Sequence, residues 1–325
     1  MKLKTGFKTA KSLIKLIFLG KRTPLLIGWA LTNRCNLRCR YCSSSAFESK
    51  ELTTKQISSI IDELAAIGCA RIAFTGGEPL LRDDIGDIVN YSKSKGIHTG
   101  LNSNGILFTK KIDQIKNIDL LMLSLDGPQE THDFLRGAGS YQNTLSAIET
   151  AANHGIKTAI TTVLTKYNLD SIDFILEKAQ LFHCYVYFQP VTNLPLGAID
   201  ISGLLPSKNE FKAGIAKILH LKNKNNFIGN SKAVLEHFLN WPGFKGVRCR
   251  AGQIYCAIDP QGYLYACSNL RNGSRFDILK SGFKKAFNDL GEVSCKNCWC
   301  SSPLEINKLL SFNIDSAFNL IKTQA

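Results

Sequence analysis

Nowhere in this 325-residue chain does an apolar run approach the ~20 residues that crossing a bilayer requires. The apolar stretch near the start, Leu16-Ile17-Phe18-Leu19, is too short for a secretory signal, and no small-residue cleavage site follows it. Low-complexity tracts are missing, and nothing repeats except an alternation of strand and helix patterns. These absences predict a cytoplasmic protein. Acidic residues are absent from residues 1–22, whose six lysines and Arg22 give a charge of +7. Residues 208–245 carry seven lysines against Glu210 and Glu236. The rest is close to neutral, although the whole chain carries +14. A general nucleic-acid binder carries a basic stripe through its folded body, so charge confined to an arm and a connecting segment argues against a nucleic-acid partner.

A disulfide framework is also absent. The eleven cysteines crowd into 35–42 and 249–300, with only Cys69 and Cys184 elsewhere. Such clustering points to metal and to a reducing compartment. Cys69 and Cys184 flank strands and read as small buried apolar residues.

The chain is organised around Cys35-Asn36-Leu37-Arg38-Cys39-Arg40-Tyr41-Cys42, spaced C-x3-C-x2-C. Disulfide pairing would leave one thiol over, and a zinc site presents two-cysteine knuckles and four closed ligands. Three thiolates on one loop suit a [4Fe–4S] cluster held through three irons, with the fourth open to another ligand.

From Leu25 onward, β-type and helical patterns alternate. Strands are expected at 25–31, 71–74, 97–101, 120–123, 157–163 and 185–188, with helices between them; the first helix opens on a capping box at Thr53 and Gln56. Every glycine-rich or polar motif follows a strand. Parallel α/β barrels converge their strand ends and βα loops on one rim, which holds the active site. Six units predict an incompletely closed (β/α)6 TIM-like barrel. The expected organisation is a basic amphipathic arm (1–23), the barrel (24–190), a helical junction (191–246), and a small cysteine-rich unit with a C-terminal helix (247–325).

Thr32 to Cys42 resembles the cluster loop of the radical S-adenosylmethionine (SAM) enzymes. The resemblance implies that SAM chelates the open iron and that one electron cleaves it to methionine and a 5′-deoxyadenosyl radical. It also implies a low-potential reductant such as flavodoxin or ferredoxin. Thr75-Gly76-Gly77-Glu78-Pro79 is similar to the family's motif for the SAM amino group, placing Gly76, Gly77 and Glu78 there. Asn102, Asn104, Ser124 and Asp126 are hydrogen-bonding groups at the next two strand ends, suited to ribose hydroxyls or a carboxylate; by resemblance Ser124 and Asp126 take that place. Arg136 is suited to clamping a carboxylate, and Gln189 is a candidate of the same kind. Turn and cap roles are the other reading for the polar strand-end residues, and a solvated loop arginine is the other reading for Arg136.

The second cysteine set resembles the shortened auxiliary-cluster (twitch) version of the SPASM domain: Cys249, a hairpin turning at Pro260-Gln261-Gly262, Cys267, and a Cys295-x2-Cys298 knuckle. The favoured ligands of a second [4Fe–4S] cluster are Cys249, Cys267, Cys295 and Cys298, with Cys256 and Cys300 as alternates. A structural zinc site is the competing reading. A non-catalytic zinc or iron–sulfur protein is the competing function. The expected substrate is a peptide, sugar or lipid. The C-terminus, Lys322-Thr323-Gln324-Ala325, lacks the Gly-Gly tail of a molybdenum-cofactor cyclase.

Residues 8–19 set Lys8, Lys11 and Lys15 opposite Leu13, Ile14, Ile17 and Phe18 at helical spacing. A basic residue near an anionic surface contributes about 1 kcal/mol, so the arm predicts weak peripheral membrane association. Full-length chain is expected to cosediment with anionic vesicles at low salt, to be released at high salt, and to lose binding without residues 1–22. Both forms remaining in the supernatant at low salt would remove this role.

Overall fold

A computed structural model describes residues 22–44, 50–192, 199–243, 246–270, 273–291, 293, 298–311, 315, 316 and 319. The arm helix expected over 8–19 and Cys295 lie outside the described residues.

Six parallel strands follow the expected order: β1 (Leu26–Thr32), β2 (Arg71–Gly76), β3 (His98–Ser103), β4 (Leu120–Ser124), β5 (Thr158–Leu164) and β6 (Tyr185–Pro190). Between them run α1 (Thr54–Ala66), α2 (Ile85–Ser94), α3 (Phe108–Ile115), α4 (Gln129–Arg136), α5 (Ser140–Asn153) and α6 (Ile172–Leu181). This is a partial (β/α)6 barrel. Side chains alternate across the strands. Ile27 and Trp29, Ile72 and Phe74, Leu121 and Leu123, and Val186 and Phe188 are buried against the helical layer. The alternate positions, among them Gly28, Ala73, Asn102, Met122, Ser124, Thr161, Tyr187 and Gln189, are only part-buried. Helix α1 answers with Ile57, Ile60, Ile61 and Leu64, one stripe at helical spacing, and its Thr53–Gln56 capping box is formed. Burial of each such Ile or Leu contributes about 1.5–3 kcal/mol.

Helix α4 is the element that sequence reasoning did not expect. It is short and polar, and the 134–137 segment reads as loop. Its ends explain it: Pro128 fixes the entry, and Gly137 at φ 134° ends the helix in a conformation that L side chains avoid.

The cysteine-rich segment joins the same sheet. Strand β7 (Tyr255–Ile258) pairs in parallel with β1, opposite Leu26–Trp29. It turns through Gly262 (φ 88°) into antiparallel β8 (Tyr263–Tyr265), the expected hairpin, and β9 (Phe276–Asp277) completes the sheet. Helices α7 (Lys208–Lys222) and α8 (Lys232–Phe238) come between β6 and β7; the expected Ser207–Glu210 capping box opens α7. Helices α9 (Ile278–Ser281), α10 (Phe283–Asp289) and α11 (Ser301–Leu309) follow β9.

The outer edge of β6 does not face water. Val186 accepts from Gly229 N (2.7 Å) and donates to Phe227 O (2.8 Å). One residue pair further on, the Asn230 amide replaces a strand: it accepts from Phe188 N (2.7 Å) and donates to Phe188 O (3.0 Å) and to Ser301 Oγ at the start of α11 (2.9 Å). A buried polar group left unpaired costs about 1–3 kcal/mol, and Asn230→Ala strands both Phe188 groups. The substitution is expected to lower the urea midpoint by an amount equivalent to at least ~2 kcal/mol; an unchanged midpoint would mean that water replaces the amide.

Candidate active site

The cysteine loop leaves the C-terminal end of β1, and two separate networks fix it. On one side the loop after β2 is bonded to it through main chain: Gly77 N donates to Thr32 O and Glu78 N to Arg34 O, both at 2.8 Å. The approach is so close that a Cβ at Gly76 would lie 2.2 Å from Thr32 O, and one at Gly77 2.1 Å from Arg34 O. The glycines are therefore dictated by loop-on-loop contact. The Glu78 carboxylate is fully buried and accepts from Leu80 N (3.0 Å), Ser103 Oγ (3.0 Å) and Asn104 N (2.8 Å). Burial pushes its pKa up to about 7 against those three donors. Asn104 in turn donates to Asn36 Oδ1 (2.8 Å) and points the same amide nitrogen at Cys35 Sγ (3.9 Å). Beside this, Glu51 gathers Thr32 Oγ1, Arg34 and the buried Arg82, which also holds Asp84.

On the other side stand Tyr41, Asp126 and Arg136. The Tyr41 hydroxyl and Arg136 Nε both donate to Asp126 Oδ2, at 2.5 and 2.6 Å, and Val163 N donates to Oδ1 at 2.9 Å. Arg136 thus gives its Nε to a carboxylate of this chain, and that bond leaves the two Nη groups of the guanidinium unused. Sequence reasoning gave no role to Tyr41, Glu51, Arg82 or His132, although Tyr41 sits inside the motif itself.

Of the remaining predicted residues, Asn102, Ser124 and Gln189 lie at part-buried positions near the C-terminal ends of β3, β4 and β6, and form no side-chain hydrogen bond among the described residues.

Cys35, Cys39 and Cys42 are all part-buried free thiols, close enough that the charge of Cys42 opposes ionisation of Cys35, and the charges of Cys42 and Cys35 that of Cys39. Burial pushes Cys39 up to about 11, while the Arg136 charge acts against that rise. Leu37 N points at Cys35 Sγ at 3.5 Å. In a cuboidal cluster each thiolate meets its own iron, and three part-buried thiols on one loop are the donors such a cluster takes. The donor set therefore fits a [4Fe–4S] cluster.

Residues 29–179 match the radical SAM superfamily. Mycofactocin maturase MftC of Mycolicibacterium smegmatis is 32% identical over 275 residues, covering 81% of this chain and 69% of that protein. The chain belongs to the radical SAM superfamily. It is an enzyme of that class, and the superfamily implies a [4Fe–4S] cluster and SAM as cofactors. The AdoMet-dependent heme synthase of Methanosarcina barkeri is 37% identical over 172 residues, half of this chain and 49% of that protein. Among solved structures, Streptococcus suis SuiB bound to precursor peptide SuiA superposes with a TM-score of 0.70 at 16% identity, over 86% of this chain and 68% of that one.

The C-terminal cysteines of this radical SAM enzyme also gather. Cys298 feels the charges of Cys300, Cys267 and Cys249, and Cys267 those of Cys300 and Cys249, so the four lie near one another. Burial pushes Cys267 up to about 11. The Cys249 thiol meets the Tyr255 hydroxyl at 3.2 Å, and Asn269 donates to Cys300 Sγ at 3.6 Å. Cys256 is elsewhere: it is 3% exposed, on β7 opposite Ile27, packed in the main core with Cys69 as its charge neighbour. The side chain of β7 that reaches the cysteine group is that of Tyr255, one residue earlier, because a strand turns adjacent residues to opposite faces.

The loop contact yields a specific expectation. Gly77→Ala has no room beside Arg34 O, so the cysteine loop must shift. Reconstituted iron is expected to fall by about four per chain, the content of one cuboidal cluster, while far-ultraviolet circular dichroism stays unchanged. Full iron content in Gly77→Ala would show that the loop tolerates displacement.

Proposed function

We propose that this chain is a radical SAM maturase that modifies a peptide substrate and carries a second, auxiliary [4Fe–4S] cluster. The observation that carries this reading is the extent of the likeness to the mycofactocin maturase. It runs over 275 residues, more than the barrel alone can supply, whereas the heme synthase match is confined to 172. The peptide in the SuiB structure supports the substrate class.

In this reading residues 24–190 form the catalytic barrel and 247–325 the auxiliary unit. Cys35, Cys39 and Cys42 hold the first cluster. With SAM bound there, one-electron reduction supplies a 5′-deoxyadenosyl radical that removes a hydrogen atom from substrate. The residues of this chain do the positioning. Asn102, Ser124 and Gln189 offer their free polar groups to SAM from the rim, and the Gly76–Gly77 backbone sits where its amino group would be held. Glu78 and Asn104 keep the two loops together beneath it. Arg38, exposed and without a partner among the described residues, gives an acidic low-potential donor such as flavodoxin or ferredoxin a cation to meet. Cys249, Cys267, Cys298 and Cys300 hold the auxiliary cluster among the described residues.

The test is anaerobic reconstitution with iron and sulfide. Wild type is expected to bind about eight irons, and Cys35→Ala/Cys39→Ala/Cys42→Ala about four, with no 5′-deoxyadenosine formed. Cys256→Ala is expected to keep full iron, while Cys300→Ala loses about four. Deoxyadenosine from the triple variant would overturn the central assignment. Zinc without iron–sulfur absorption in the residual site would replace the auxiliary cluster with a structural ion. Turnover of a tetrapyrrole but of no peptide would move the substrate to the heme-synthase class.

A further inference from the structure

Beneath the cysteine loop lies a closed pair of charges. Asp126 is 0% and Arg136 7% exposed. Each Asp126 oxygen has a donor: Tyr41 Oη and Arg136 Nε on one, Val163 N on the other. The guanidinium also lies 5.5 Å from the centre of the Tyr41 ring. The neighbouring His132 accepts from Asp126 N at 3.2 Å; burial, with Arg136 beside it, takes its pKa down to about 4, so it brings no charge. Helix α4, which carries Arg136, is stitched to the loop as well: Arg40 N donates to Leu135 O and Arg40 Nε to Phe134 O, both at 2.8 Å, and the Arg40 guanidinium stacks 4.1 Å from the Phe134 ring centre. Arg136 and Asp126 are both charge neighbours of the Cys39 thiol.

Both Asp126 oxygens already accept within the chain, and Arg136 gives its Nε to one of them. A cluster on Cys39 would feel the pair as nearly neutral, and reduction adds negative charge to that cluster. A lone buried cation there would favour the reduced state, and a lone anion would oppose it, with little solvent screening.

We propose that Asp126 and Arg136, with Tyr41, are positioning residues for the cysteine loop, and that their matched charges keep the potential of the cluster on Cys39 low. The inference rests on the radical SAM reading above. It gives Asp126 a role within the chain where the resemblance implied a contact with SAM.

The experiment uses the full reconstituted chain in four forms: wild type, Asp126→Asn, Arg136→Lys and Tyr41→Phe. The midpoint potential of the SAM-responsive cluster is read by EPR during titration with dithionite, and SAM affinity by equilibrium dialysis. Asp126→Asn leaves the Arg136 charge unmatched and is expected to shift the potential positive, with SAM affinity changed less than about threefold. Arg136→Lys conserves the charge and is expected to hold the wild-type potential. Tyr41→Phe keeps both charges and removes a tether; the cluster is expected to be lost faster to a chelator at an unchanged potential. If Asp126→Asn fails to fold, Arg136→Gln reads the same quantity with the opposite sign, a negative shift. A wild-type cluster that responds to SAM, with Asp126→Asn at an unchanged potential and SAM binding weakened tenfold or more, overturns this proposal alone. A wild-type chain with no SAM-responsive cluster overturns the radical SAM reading and this proposal with it.

Discussion

Strand β1 is hydrogen-bonded on both sides in parallel, to β2 and to β7, and the cysteine loop leaves from its C-terminal end. That double pairing sets the rest. The β2 partner brings its own loop against the cysteine loop, close enough that Gly76 and Gly77 are the only fit. The β7 partner brings the second cysteine group onto the same sheet, with Tyr255 carrying the register from Leu26 to the Cys249 thiol. A slip of one residue between β1 and β7 would exchange the faces of Tyr255 and Cys256. The core would then receive a phenol and the cysteine group would gain a different thiol.

Around that strand the loop is gripped by charge as well as by backbone. Glu51 with Arg34 and Arg82 lies at its start, and Asp126 with Arg136 beneath its end. These grips differ in kind. The Arg34–Glu51 pair is solvent-exposed on the arginine side and contributes little to stability. The Asp126–Arg136 pair is buried, so its desolvation cost offsets most of its attraction, while removal of one partner alone costs about 3–5 kcal/mol. A pair of that sort specifies geometry more than it adds stability. It holds Tyr41, and through Tyr41 the segment between Cys39 and Cys42, in one place.

The edge of β6 shows the same economy. The sheet ends at β6, and an open parallel edge leaves a row of unpaired groups. Here residues 227–229 and the Asn230 amide cover it, and Ser301 of α11 holds the amide from behind. Because α11 begins directly after Cys300, the covering of the barrel edge and the placement of the second cysteine group share one anchor. His237 of α8 meets the Cys298 carbonyl at 3.0 Å and packs its ring, tilted, 5.0 Å from that of Trp299, which fixes that short run from the other side.

The sequence by itself determined the barrel, the three-thiol loop and the hairpin after Cys249, because each rests on a local signal. Alternating strand and helix periods, a C-x3-C-x2-C spacing, and a Pro-Gln-Gly turn between β-type flanks act over few residues. Tertiary structure decided what depends on the direction of a side chain. Asp126 and Arg136 share a motif region in the sequence, but only the fold turns them toward each other and beneath Tyr41. Cys256 and Cys300 are equal candidates by spacing, but strand alternation sends the first into the core and helix α11 brings the second to the other thiols. Gly76 and Gly77 read as room for a ligand, but a second loop fills that room. Sequence spacing fixes which residues are near along the chain; packing fixes which polar groups are already satisfied, and so which remain free to meet a cofactor.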